Sequence, residues 1–238
     1  MARLGGQGVA VPRPGYGDYA RAALAQGLRL VTPSEAQLLW LCDPCSPTGQ
    51  PAGHLLPPPG TPAVLDCAYA PLRLEGKAAA RDAFWQLWTP NKALGLTGVR
   101  GAYAIAPAAV RDAALQDLLQ ALMPSWPIGA HGVAMLRGWT EAPVQQWLRG
   151  CLPLLREWKA AQIALCESLG WRCLPGDASF FCAQPASTDL PELLPGLRHE
   201  HGIKLRDAAA LGLPGHLRLN VMPPPSQEAL RTALMHWR

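Results

Sequence analysis

The sequence predicts an α/β protein built on a mostly parallel sheet. Short apolar runs alternate with longer stretches of helical periodicity along most of the chain. Several of those runs are apolar at consecutive positions, as strands covered on both faces are. With 238 residues, the chain can form one sizeable core or a larger and a smaller domain that share an interface.

In chain order, Gly8 to Val11 reads as a buried strand and Pro12 to Pro14 as a turn. Tyr19 to Gln26 has helical composition and stops at Gly27, a residue type suited to the position after a helix. Leu28 to Val31, Gln37 to Cys42 and Ala63 to Asp66 follow as strands, then Phe84 to Trp88 and Tyr103 to Ala106. The proline- and glycine-rich stretch from Pro47 to Pro62 excludes a regular crossover helix there. Ala108 to Met123 is amphipathic, and Glu141 to Leu169 reads as a long helix that Pro153 should kink or divide. Trp171 to Arg238 mixes short strands and turns with a last helix from Ser226 to Trp237, for which Ser226 is a plausible cap. A boundary near Ser125 to Gly129 gives domains of 1–125 and 126–238.

Composition excludes several classes of function. No apolar run reaches the roughly 20 residues of a membrane helix. Net charge is +4 with the basic residues scattered, so nucleic acid is not an indicated partner. The first residues lack the apolar core of a secretory signal, and an odd number of cysteines, seven, with Cys42, Cys67, Cys166 and Cys182 in apolar surroundings, reads as reduced thiols. A cytoplasmic location is the expectation. Cys42-Asp43-Pro44-Cys45 has the spacing of half a zinc knuckle, but no second pair completes it, and no metal is expected. His199 and His201 read as a surface pair on an extended segment, and tryptophans such as Trp85, Trp88, Trp147 and Trp158 as core or subunit contacts.

Four segments carry chemistry. Asp43-Pro44-Cys45-Ser46-Pro47-Thr48-Gly49 is a tight turn directly after an apolar strand. Leu65-Asp66-Cys67-Ala68-Tyr69 places an acid at the end of another strand with a phenol three residues on. The third is Thr89-Pro90-Asn91-Lys92-Ala93-Leu94-Gly95-Leu96-Thr97-Gly98-Val99-Arg100, and the fourth is Gly215-His216-Leu217-Arg218-Leu219-Asn220. Loops at the carboxyl ends of sheet strands are where α/β proteins build sites.

In order and spacing these segments resemble the fold type I, pyridoxal-phosphate-dependent aminotransferases of class I and II, especially the group containing histidinol-phosphate aminotransferase and threonine-phosphate decarboxylase. The resemblance implies pyridoxal 5'-phosphate as cofactor and Lys92 as the amine that joins its aldehyde and later moves protons at the substrate carbon. Asp66 would face the pyridine nitrogen, Tyr69 and Ser46 the phenolic oxygen, and Tyr16 the ring face. Thr89 and Arg100 match positions that hold the cofactor phosphate. Arg218 would grip a substrate carboxylate by a two-point fork and Arg206 the substrate's phosphate. A homodimer is implied too.

Two departures accompany the resemblance. Ser46 stands where the family usually has asparagine, and the chain begins past the family's first helix, several strands and glycine-containing turn, so an N-terminally incomplete cofactor domain is expected. The form of the lysine segment is most similar to the cobalamin-pathway branch, which implies decarboxylation of L-threonine O-3-phosphate to aminopropanol phosphate. Histidinol-phosphate aminotransferase and a shortened, non-catalytic remnant are the alternatives.

Overall fold

A computed structural model of the chain describes residues 7–53, 57, 59–110, 113–185 and 189–236. Six strands form the first sheet: β1 (Gly8–Ala10), β2 (Arg29–Leu30), β3 (Leu38–Cys42), β4 (Ala63–Asp66), β5 (Trp85–Trp88) and β6 (Tyr103–Ile105). Their order is β2-β1-β3-β4-β5-β6, parallel throughout except for the antiparallel edge strand β6. Helix α1 (Gly17–Ala25) connects β1 to β2 and ends before Gly27, whose φ of 70° supplies the left-handed step foreseen there.

Consecutive side chains of a strand leave on opposite faces, and the central strands are apolar on both. Leu39, Leu41, Ala63 and Leu65 pack in one cluster. Val9 and Leu38 pack on the other face with Ala23 of α1 and Leu28, and Trp40 and Val64 lie against them. The edge differs from the expectation of a sheet covered on both sides. All three residues of β6 are exposed and β5 is half-buried.

The second sheet is antiparallel, in the order β7-β8-β10-β9, from β7 (Arg172–Cys173), β8 (Phe180–Gln184), β9 (Arg206–Asp207) and β10 (Leu217–Asn220). Phe181, Ala183, Leu217 and Leu219 turn to a core shared with Cys166 of helix α4 (Ala142–Ser168) and Leu230 of helix α6 (Pro224–His236). Phe180, Cys182 and Arg218 alternate with them and therefore leave on the face toward the first sheet, where the Cys182 thiol reaches the Pro47 carbonyl at 3.2 Å.

Five helices complete the described chain, and each differs in some respect from what periodicity foresees. The expected 108–123 helix is a short 3-10 turn at Ala108–Val110 followed by α2 (Ala113–Ala121), with 111–112 outside the described residues. Helix α3 (Ala130–Trp139) precedes α4, which runs undivided through Pro153. Helix α5 (Leu190–His201) carries His199 and His201 in its last turn, so these histidines are helical rather than extended. Helix α6 starts at Pro224, so Ser226 lies in its first turn and is not its cap, while Trp237 falls outside the described residues. Trp147 is exposed, which removes the core from the two roles, core or subunit contact, expected of it.

The two sheets meet at one junction. Arg73 pairs with Ala178 in a single antiparallel bridge, and its guanidinium forms ion pairs with Asp177 and, at 2.7 Å, with the fully buried Asp43. Asp43 also accepts the Ala52 N–H at 3.1 Å and the Ala79 N–H at 3.3 Å. Glycine is required where the loops touch. Gly49 has φ +75°, and a Cβ there would lie 2.9 Å from the Phe180 carbonyl, while one on Gly176 would lie 2.5 Å from that of Thr48.

Candidate active site

The parallel strands deliver their ends to one place, and a cleft of about 340 Å³ opens there. Its size is within the roughly 300–1,000 Å³ typical of small-molecule sites. All nine sequence-expected site residues line it: Tyr16, Ser46, Asp66, Tyr69, Thr89, Lys92, Arg100, Arg206 and Arg218. The first seven come from the carboxyl end of β4 and from the loops after β1, β3, β4 and β5, and the two arginines from β9 and β10 of the second sheet.

Lys92 sits on a tight turn just beyond β5, held by the Leu94 N–H to Pro90 carbonyl bond (3.0 Å) and the Leu96 N–H to Asn91 carbonyl bond (2.9 Å). Its Nζ lies 5.9 Å from the centre of the Tyr69 ring. Asp66 ends β4, and its Oδ1 accepts the Ala68 N–H at 2.8 Å. Asp66 is the single carboxylate among the described residues lining the cleft. Thr89 donates its hydroxyl to the Gly101 carbonyl at 2.7 Å, which ties the end of β5 to the residue after Arg100. The Tyr16 hydroxyl donates to Asp18, and this bond raises the phenol above its ordinary value.

Arg218 is the most constrained cation. Its guanidinium carbon stands 4.0 Å from the Phe180 ring centre and 5.4 Å from that of Tyr69, and Nη2 donates to the Tyr69 hydroxyl at 3.1 Å. Its Nε is buried without a partner among the described residues. Arg206 is the direct cross-strand partner of Arg218, so both guanidinium stems leave the same face of the sheet.

Several lining residues went unassigned in the sequence. Tyr19, Cys42, Asn91 and Leu211 join the cleft. Asn91, the residue before Lys92, is buried and its Oδ1 lacks a partner among the described residues. Asp43, by contrast, lies outside the cleft in the junction described above. The Cys42 and Cys45 thiols turn to backbone carbonyls, of Pro44 for the former and of Pro14 and Ser46 for the latter.

A parallel sheet with a lysine turn, an aspartate strand end and three arginines around one cleft has the donor set of a site that can bind an anion and join an amine to an aldehyde. Residues 62–236 match the family model for aminotransferase class I and II, and the chain belongs to that family. A histidinol-phosphate aminotransferase of Symbiobacterium thermophilum is 28% identical over 265 residues, covering 96% of this chain and 70% of that protein. Among solved structures, the histidinol-phosphate aminotransferase of Sinorhizobium meliloti in complex with pyridoxal-5'-phosphate aligns with a TM-score of 0.77 at 19% identity, over 100% of this chain and 73% of that one. L-threonine-O-3-phosphate decarboxylase from Porphyromonas gingivalis aligns with 0.72 at 19%, over 99% and 78%. At such identities the two structures establish the fold, fold type I of the pyridoxal-phosphate enzymes.

The cofactor of this chain is pyridoxal 5'-phosphate. The donor set fits it: an amine, a carboxylate, phenols and guanidiniums line one cleft, and Arg218 Nε and Asn91 Oδ1 there lack protein partners among the described residues. No helix among the described residues is long and apolar enough to cross a membrane.

Proposed function

We propose that the chain decarboxylates L-threonine O-3-phosphate. The observation that carries the reading is the cross-strand pair Arg206 and Arg218 at one wall of the lysine cleft. Two adjacent guanidiniums suit a single substrate that bears both a carboxylate and a phosphate, since each planar fork takes one oxyanion by two parallel hydrogen bonds. When bound, pyridoxal phosphate supplies an aldehyde for an amine to condense with and a ring that accepts an electron pair from the substrate carbon.

The chain's own residues then divide the work. Lys92 would be the amine that holds the cofactor and would afterwards deliver a proton to the substrate carbon. Asp66 would face the ring nitrogen, Tyr69 and Ser46 would donate to the phenolic oxygen, Tyr16 would cover the ring, and Arg100 with Thr89 would hold the cofactor phosphate. Arg218 orients the departing carboxylate, with the Phe180 ring behind it excluding water, and Arg206 holds the substrate phosphate. In this reading residues 1–125 hold the cofactor, residues 126–238 supply the substrate wall, and two copies of the chain associate in the cytoplasm.

A second reading, histidinol-phosphate aminotransferase, is favoured by the name of the curated relative. Each phosphorylated substrate supplied separately, with and without 2-oxoglutarate, separates the two. Release of carbon dioxide and aminopropanol phosphate without any keto acid is the expected result. Turnover of histidinol phosphate that depends on the keto acid overturns the decarboxylase reading in favour of the transaminase.

A further inference from the structure

Tyr19 lies in the first turn of helix α1, where local sequence suggests only packing, yet its hydroxyl ends on the site's carboxylate: Oη donates to Asp66 Oδ2 at 2.6 Å across 47 residues of sequence. The fold brings them together through register. Cys42 and Asp66 are direct partners at the carboxyl ends of β3 and β4, and Trp40, two residues before Cys42, leaves the same face. Helix α1 packs on that face, and its first turn lays the Tyr19 ring on Trp40, with ring centres 5.3 Å apart and planes at 26°. Tyr16 closes the other side edge-on at 5.6 Å.

We propose that Tyr19 is a positioning residue for the cofactor, fixing the Asp66 carboxylate in the orientation that meets the ring nitrogen. The inference rests on the pyridoxal-phosphate reading of this cleft. Asp66 has two oxygens, and each is held by a different donor: Oδ1 by the Ala68 N–H and Oδ2 by the Tyr19 hydroxyl. One bond alone leaves the terminal carboxylate torsion broad, whereas two from separate elements leave it one orientation. Each oxygen keeps lone-pair capacity for a further donor. The groups facing the phenol are Asp66 and Cys42, with the Tyr16 ring at its edge, and burial first, then Cys42 and Asp66, push the Tyr19 phenol upward. The phenol therefore keeps its proton and acts as donor throughout the working range. The alternative, that Tyr19 only packs, predicts that its ring matters and its hydroxyl does not.

Tyr19→Phe keeps the ring and its stacking on Trp40 and removes the donor. Purified wild-type and variant apoproteins are titrated with pyridoxal phosphate by tryptophan fluorescence, and the visible absorption of each holoprotein is followed against pH. The variant is expected to release the cofactor roughly 5-fold to 10-fold more readily and to change absorption at a different pH from wild type. Equal retention with a superimposable pH profile overturns the inference while leaving the cofactor reading intact. Wild-type protein that takes up no cofactor overturns both. Should Tyr19→Phe fail to fold, 3-fluorotyrosine at position 19 preserves shape and makes the hydroxyl a stronger donor; a shifted profile supports the positioning role and an unshifted one overturns it.

Discussion

Lys92 and Arg218 show how one residue type is placed for one task. The amine stands on a turn with its Nζ near the Tyr69 ring, and the guanidinium is wedged between that ring and Phe180. Lys92→Ala is expected to lower turnover by roughly 10³-fold or more, because no other amine lines the cleft among the described residues. Borohydride treatment of holoprotein should fix the cofactor on Lys92 in wild type and nowhere in the variant. At Arg218, Lys is not a conservative replacement, since it cannot form the two-point fork. Arg218→Lys is expected to raise KM for the proposed substrate, L-threonine O-3-phosphate, by about 10-fold to 100-fold, the worth of about 1.5–3 kcal/mol from a charge-assisted contact. Asp43 illustrates a different economy. It is fully buried and bound to Arg73, so Asp43→Ala leaves that guanidinium with Asp177 alone and strands the Ala52 and Ala79 N–H groups. A loss of about 3–5 kcal/mol in chemical denaturation is expected.

Elements, in turn, explain which parts of the fold were readable. Strands β3, β4 and β5 could be seen because largely apolar runs end in Asp43, Asp66 and Thr89, and two of those endings, Asp66 and Thr89, belong to the expected site. Helix α5 could not, since Pro191, Pro195 and Gly196 interrupt its periodicity. Tertiary burial of Leu193 and Leu197 against Ala233 of α6 stabilises it, each leucine contributing about 1.5–3 kcal/mol. Helix α3 was hidden by its own glycines, yet one of them has a use. Gly132 faces the Arg100 segment, and a Cβ there would lie 2.3 Å from the Arg100 carbonyl, a backbone atom that cannot swing aside. Gly132→Ala should therefore displace Arg100 and weaken cofactor retention by about 10-fold, equivalent to about 1.4 kcal/mol. Retention equal to wild type would show that α3 does not position Arg100. Tyr19 went unread for a related reason: its partner is distant in sequence, and nothing local marks an aromatic residue in a first helical turn as a donor.

At the scale of the whole molecule, buried thiols couple the two sheets to pH. Burial pushes Cys45 and Cys182 up to about 11 and Cys67 and Cys166 up to about 12, from an ordinary 9.0. A folded-state value above the unfolded one means that the neutral thiol is the form the fold accommodates. The associated stability is complete below about pH 9 and is lost as the unfolded chain ionises while the folded chain does not, between about 9 and 12. Cys45 and Cys67 lie in the first half of the chain and Cys166 and Cys182 behind and within the second sheet, so both halves of the chain lose stability over the same window. The melting temperature measured from pH 6 to pH 11 should be level to about pH 8.5 and then fall steeply. Replacing Cys166 and Cys182 together by Ala should flatten that fall, even though the cavities lower the melting temperature at neutral pH. A wild-type melting temperature that stays constant to pH 11 would place the source of stability elsewhere. An equally steep alkaline fall in the double variant would assign it to groups other than these two thiols.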